Sequence, residues 1–182
     1  MNRIQLLPIG EAGDGVLEYL CEALPAELGA ACEVLRVPFD PQPAFHAERQ
    51  QYHSTQILAG MHQRLPSDSW RLLGITPFDL YIPILTFVFG EAQLEGTCAV
   101  VSTHRLRQEF YGLPPDPKLM RQRLLKEAVH ELGHTLSLTH CEDYRCAMAP
   151  SHSVEWIDLK GSSLCAGCRA RARIIPPVSS LS

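Results

Sequence analysis

Residues 130–140 read His130-Glu131-Leu132-Gly133-His134-Thr135-Leu136-Ser137-Leu138-Thr139-His140. The His-Glu-x-x-His spacing sets two imidazoles one turn apart on one face of a helix, where both reach a single Zn²⁺. Glu131 projects beside them and can take a proton from a metal-activated water without ligating the metal. The pattern has this meaning only on a helix, and the run from Pro117 to about Leu136 reads as one. Asp116 is a good N-cap and Pro117 suits the first helical position. Met120, Leu124, Ala128 and Leu132 recur at four-residue steps, and Leu125, Val129 and Leu136 widen the stripe. Arg121, Gln122, Arg123 and Lys126 fall mostly on the opposite side. The apolar end of this helix therefore buries two histidines and a glutamate. Burying them is costly unless something binds them, as zinc does.

His140 is the candidate third ligand. It lies six residues beyond His134 and shares the metal only if the helix stops near Leu136 or Ser137 and the chain folds back. Metzincin peptidases make this turn with a glycine three residues after the second histidine. Ser137 stands there in this chain. A serine in a left-handed conformation costs roughly 1–2 kcal/mol, against zinc binding on the order of 10 kcal/mol or more.

A second constellation follows at once. Four residues separate Cys141 from Cys146 and two separate Cys165 from Cys168, with eighteen residues between the pairs. That is the spacing of a closed four-cysteine structural zinc site, with no position left for water. The alternative is unrelated reduced thiols or a Cys-x-x-Cys redox pair, which leaves Cys141 and Cys146 unexplained. His140 and Cys141 are neighbours, so a closed thiolate site can fix the turn that presents His140.

Working outward, 182 residues suit one compact domain, residues 1–182. Residues 1–116 are expected to be mainly sheet with helices, and 117–182 the metal helix and zinc-stapled tail. With 16 Lys and Arg against 20 Asp and Glu, the net charge is −4. This argues against a general nucleic-acid or anionic-membrane binder. No stretch is long and apolar enough to span a membrane, and the first residues show no secretion signal, so a cytoplasmic monomer is expected. Seven cysteines then read as metal ligands and core thiols.

The chain opens β-α-β: a strand over residues 3–9, a helix from Val16 to about Leu28, a strand from Glu33 to Val37. This predicts a parallel pair in an α/β sheet. Gly10, Gly13 and Gly15 do not fit dinucleotide spacing and read as a turn. Further expectations are a helix over Tyr52–Arg64 and strands at Arg71–Ile75, Leu85–Phe89 and Cys98–Ser102. After His140 the tail is short and irregular.

These residues resemble the archaemetzincins. The resemblance rests on His130-Glu131-x-x-His134-x-x-Ser137-x-x-His140-Cys141, then Cys146-Ala147-Met148, then Cys165-Ala166-Gly167-Cys168, all in order but for Ser137. Phe89-Gly90-Glu91-Ala92 and the 102–106 segment match more weakly. The resemblance implies an α/β, zincin-like domain with a mixed, twisted sheet. It implies a catalytic zinc on His130, His134 and His140, Glu131 as general base, and Met148 in the turn beneath the zinc. A second, structural zinc would lie on Cys141, Cys146, Cys165 and Cys168. Leu85–Phe89 would be the sheet edge that pairs with an extended peptide.

The expected function is peptide hydrolysis at a three-histidine zinc, with Glu131 passing a proton to the leaving amine. Tyr111, Tyr144 and His152 are candidates to steady the oxyanion. The rival is a zinc-bearing peptide-binding protein with little or no catalysis. A zinc-ribbon interaction module for nucleic acid or a protein partner is a second rival; Arg169, Arg171 and Arg173 give it some support, but nucleic acid fits the acidic chain less well. His46, His53, His62 and His104 read as surface or hydrogen-bonded residues, and Cys21, Cys32 and Cys98 as core thiols. Asp79, Glu91 and Glu109 carry no spacing signal.

Overall fold

Along the first strand, β1 (Arg3–Pro8), side chains alternate between two apolar environments: Ile4 and Leu6 join one core, Leu7 the other. Burial on both faces marks a sheet covered on both sides. The computed structural model describes residues 2–66 and 69–174. After β1 come α1 (Val16–Leu28), β2 (Ala31–Val34), β3 (Phe45–His46), β4 (Gln51–His53) and α2 (Ser54–His62). Then follow β5 (Arg71–Thr76), β6 (Leu80–Tyr81), β7 (Gly90–Ala92), β8 (Cys98–Ser102) and α3 (Pro117–Thr135). The short helices α4 (Val154–Leu159) and α5 (Ala166–Arg171) are the last elements among the described residues.

The main sheet has the order β2-β1-β5-β8-β7. Its first four strands are parallel, and β7 runs antiparallel to β8. The α/β class and mixed sheet read from the sequence are those observed. On one face, Leu73, Ile75, Ala99 and Val101 pack under Leu20 and Leu24 of α1 and Leu124, Ala128 and Val129 of α3. On the other, Leu72, Cys98 and Val100 pack under Ile57, Leu58 and Met61 of α2. A second, three-stranded sheet, β3-β4-β6, which the sequence did not announce, sits beside them.

Four expectations need correction. The second strand starts two residues early, at Ala31, because its register pairs Ala31 with Arg3 and ends with Val34 opposite Leu6. The helix expected from Tyr52 starts at Ser54, since Tyr52 belongs to β4. Leu85–Phe89 is not a strand. Only Val88 makes a bridge, to Leu80, and the main sheet's edge is β7 instead. The carbonyls of Leu85 and Thr86 are occupied by side chains: Arg49 donates to both (2.9 and 3.0 Å) and Gln51 to Thr86 (3.0 Å). The tail is not irregular, since it carries α4 and α5.

Candidate active site

Helix α3 is started as its sequence predicts, with Pro117 in its first turn and the Asp116 carboxylate accepting the Leu119 N–H at 2.9 Å. It packs on β8 and β7. Arg123, expected on the polar side, is buried: it donates to both Asp158 carboxylate oxygens (2.8 and 2.7 Å) and to the Leu106 carbonyl (2.9 Å). The pair ties α3 to α4.

The C-terminal end of α3 decides whether His140 can return. Ser137 has φ 66°. The Leu138 N–H bonds to the Gly133 carbonyl (3.1 Å) and the Ser137 N–H to the His134 carbonyl (3.1 Å). This is a Schellman turn, built here on serine. Arg71 donates to the Thr135 carbonyl (3.1 Å) and hydroxyl (2.8 Å), filling an acceptor that a helix end leaves open.

The fold-back brings the three imidazoles together. Their ring centroids are 4.7, 5.2 and 5.2 Å apart, and donor atoms of all three lie within 4.8 Å of one another. The Nε2 atoms of His130 and His134 are 3.1 Å apart, close to the roughly 3.3 Å that tetrahedral ligation at about 2.0–2.1 Å requires. His130 Nδ1 lies 2.8 Å from the Ala147 carbonyl and His134 Nδ1 2.7 Å from the Leu138 carbonyl. A carbonyl only accepts, so both Nδ1 atoms carry the proton and both Nε2 lone pairs face the common centre. Burial pushes the His130 pKa down to about 2, helped by the Lys160 charge, and burial also lowers those of His134 and His140. Neutral imidazoles are the metal-binding form, so this donor set fits Zn²⁺.

Glu131 is buried beside them, against Gly90 of β7. Burial, then the neighbouring Glu127 charge, raises its pKa well above the ordinary carboxylate value, which makes it a strong base. Glu127 itself is buried in an ion pair with Lys160 at 2.8 Å, and Lys160 also donates to the Ala149 carbonyl (3.2 Å). Met148 is wholly buried, with its sulfur against Gly133, where a Cβ would clash with it. Glycine at 133 thus leaves the room that the methionine sulfur occupies against α3.

The four cysteines also converge. Their sulfurs lie within 4.8 Å of one another, and those of Cys141 and Cys165 are 3.8 Å apart, the spacing of two thiolates on one tetrahedral zinc at about 2.3 Å. Backbone N–H groups point at the sulfurs: Cys165 at Cys146 (3.3 Å) and Cys168 at Cys165 (3.4 Å). The Cys168 N–H draws the Cys165 thiol down to about 7, whereas burial pushes Cys146 and Cys168 up. Crowded buried thiols of this kind ionise together only around a cation, so this set also fits zinc. All seven cysteines are free thiols.

A cleft of about 390 Å³ opens in front of His130, Glu131 and His140, between residues 85–90 and Pro150–His152. Leu85–Phe89 therefore borders the cleft as wall, although it is no strand. His152 lines the cleft, and Tyr144 lines a hollow next to His140. Tyr111 is turned away, its hydroxyl donating to the Arg105 carbonyl (2.8 Å). Asp79 is engaged by Arg105 (2.8 Å), and Glu91 by the hydroxyls of Ser54 and Thr55. A larger hollow of about 660 Å³, around Arg71 and Ser137, holds none of the three histidines. The approach of Gly90 to Glu131 and the Lys160–Glu127 pair are not legible in the sequence. Neither carries a spacing signal, because each depends on a contact between distant segments.

The model of peptidase family M54 matches residues 32–173. The archaemetzincin of Methanocaldococcus jannaschii is 43% identical over 166 residues, which is 91% of this chain and 90% of that protein. The chain belongs to the archaemetzincins. It is accordingly a zinc metallopeptidase. The archaemetzincin of Pyrococcus furiosus is 36% identical over 173 residues, covering 92% of this chain and 90% of that one. Among solved structures, the Archaeoglobus fulgidus archaemetzincin complexed with malonate matches with a TM-score of 0.80 at 37% identity, over 93% of this chain and 99% of that one. A zinc-dependent peptidase from Methanocorpusculum labreanum matches with a TM-score of 0.85 at 29% identity and the same coverages. No helix among the described residues is long and apolar enough to cross a membrane.

Proposed function

We propose that His130, His134 and His140 hold the catalytic zinc, that Glu131 is the general base, and that Cys141, Cys146, Cys165 and Cys168 hold a second, structural zinc. The observation that carries this reading is the shared focus of three neutral imidazoles, two with Nδ1 locked on backbone carbonyls. Zinc, when bound, supplies the positive charge that acidifies water and polarises the scissile carbonyl. Glu131 takes the proton of the attacking water on its carboxylate and delivers it to the departing amine. Its burial sharpens this role, because a carboxylate stripped of water binds a proton more firmly. The Ala147 carbonyl holds the His130 ring in place, and Met148, packed against Gly133, is the methionine of the turn beneath the zinc. His152, on the cleft wall, steadies the oxyanion. The closed thiolate site fixes the turn that presents His140. Residues 1–116 form the sheet part and 117–182 the metal-bearing part of one domain, which acts as a cytoplasmic monomer on peptides rather than on nucleic acid. Seven free thiols suit a reducing compartment.

Elemental analysis after dialysis is expected to find about two zincs per chain. Glu131→Ala keeps both and abolishes peptide hydrolysis; undiminished turnover in that variant refutes the mechanism. Cys165→Ser lowers the count by one and weakens zinc retention by the histidines. Unchanged retention there removes the stapling role.

A further inference from the structure

Across Pro150 from the cleft lies a second hollow of about 410 Å³. Tyr144, Ala149, Trp156 and Leu159 wall it, and it shares His140 and Pro150 with the cleft. Tyr144, Trp156 and Leu159 are 62%, 51% and 64% exposed. Helix α4 is anchored by Val154 and Ile157, which are buried, so its own packing does not account for Trp156 and Leu159 on the outer side. Large apolar side chains scattered singly over a surface need no explanation, but three around one hollow do. Apolar walls with a few polar groups at the edge are the makeup of a ligand subsite. Here His140 and Glu142 supply that edge.

We propose that this hollow is a substrate subsite for one large apolar side chain, aromatic or branched aliphatic, of a peptide whose backbone lies in the adjoining cleft. The inference rests on the proposed assignment of His130, His134 and His140 to zinc. Continuity decides the occupant: the hollow opens onto His140 itself, so a peptide crossing the cleft reaches it without leaving the site. A small side chain leaves the walls wet, whereas phenylalanine or leucine covers them. Burying one such side chain is worth about tenfold to a hundredfold in affinity or kcat/KM.

The chain has two tryptophans, so Trp70→Phe leaves Trp156 as a fluorescent reporter in the wall. The probe is a set of capped hexapeptide pairs, each differing only by Phe or Ala at one position, titrated into zinc-loaded protein carrying Glu131→Ala and Trp70→Phe. At one position the Phe peptide is expected to shift Trp156 emission to the blue and to bind about tenfold to a hundredfold more tightly than its Ala partner. In the active chain the Phe-to-Ala ratio of kcat/KM at that position should fall toward one in Trp156→Ser and in Leu159→Ser. Absence of any position with both preference and Trp156 response overturns the proposal. So does a ratio that survives both substitutions. A chain dimer abolished by Leu159→Ser, with the peptide ratio unchanged, overturns it in favour of a contact between copies. Hydrolysis that persists in Glu131→Ala refutes the catalytic reading instead and leaves the fluorescence titration interpretable.

Discussion

Gly90 has no room for a side chain. A Cβ there would stand 2.7 Å from the Val100 carbonyl oxygen and 2.8 Å from the Glu131 Cγ. The first contact is with the neighbouring strand and cannot yield; the second is with the proposed base and would push it. Gly90→Ala is therefore expected to lower kcat/KM by on the order of a hundredfold, while overpacking costs only about 1–3 kcal/mol of stability. Paired activity and thermal-denaturation measurements check this, and a loss of activity no larger than the loss of folded protein would contradict it. At this scale the sequence was legible where chemistry is written in spacing. His130, Glu131, His134, His140 and the four cysteines are all singled out by intervals in the chain, and the structure brings the three histidines together and the four cysteines together. Lys160 and Glu127 are not, and Gly90 figures only in a weak resemblance, since their roles arise from segments that meet only after folding.

Helix α3 was readable from end to end, because its cap, first proline and apolar stripe agree with one another. Its surroundings were less so. Leu85–Phe89 has strand composition, yet the Leu85 and Thr86 carbonyls are taken by Arg49 and Gln51 and the segment borders the cleft. Composition reports a preference for partly buried extended chain, and a cleft wall satisfies that preference as well as a sheet does. Arg123 was misplaced for a related reason: a partner 35 residues away makes its burial affordable. The helix's last turn offers a direct test. Ser137 holds φ 66° without the freedom of glycine. Ser137→Gly relieves about 1–2 kcal/mol of strain and adds about 0.4–1 kcal/mol of unfolded-state entropy. A net gain of roughly 0.5–1 kcal/mol is expected, read as a higher denaturant midpoint with an unchanged slope. A drop in the midpoint would mean that the serine side chain itself supports the turn.

For the molecule as a whole, burial of the site ties stability to pH. In metal-stripped protein the folded His130 pKa lies near 2, far below its unfolded value. The unfolded chain thus binds the extra proton once pH falls below about 6.5. The stabilisation is complete above that value and is lost as pH falls toward the folded pKa, by about 1.4 kcal/mol per unit. Glu131, whose pKa is raised by burial and by Glu127, acts in the opposite sense, losing stabilisation as pH rises above its ordinary value. Glu131→Gln removes that opposing proton. In this background, with chelator present, the melting temperature should fall between pH 7 and pH 5, and fall less when His130 is replaced by Asn. Equal slopes would deny His130 the depressed pKa. The two donor sets, meanwhile, meet at a single peptide bond between His140 and Cys141. On the assignment proposed above, the two zincs would be held one peptide bond apart, and any coupling between the two binding equilibria is reciprocal. Whatever factor a filled thiolate site adds to metal affinity at the histidines, a filled histidine site must add to affinity at the thiolates. If that factor is large and favourable, metal scarcity would leave such a chain mostly empty or doubly loaded, with little of the half-loaded form between.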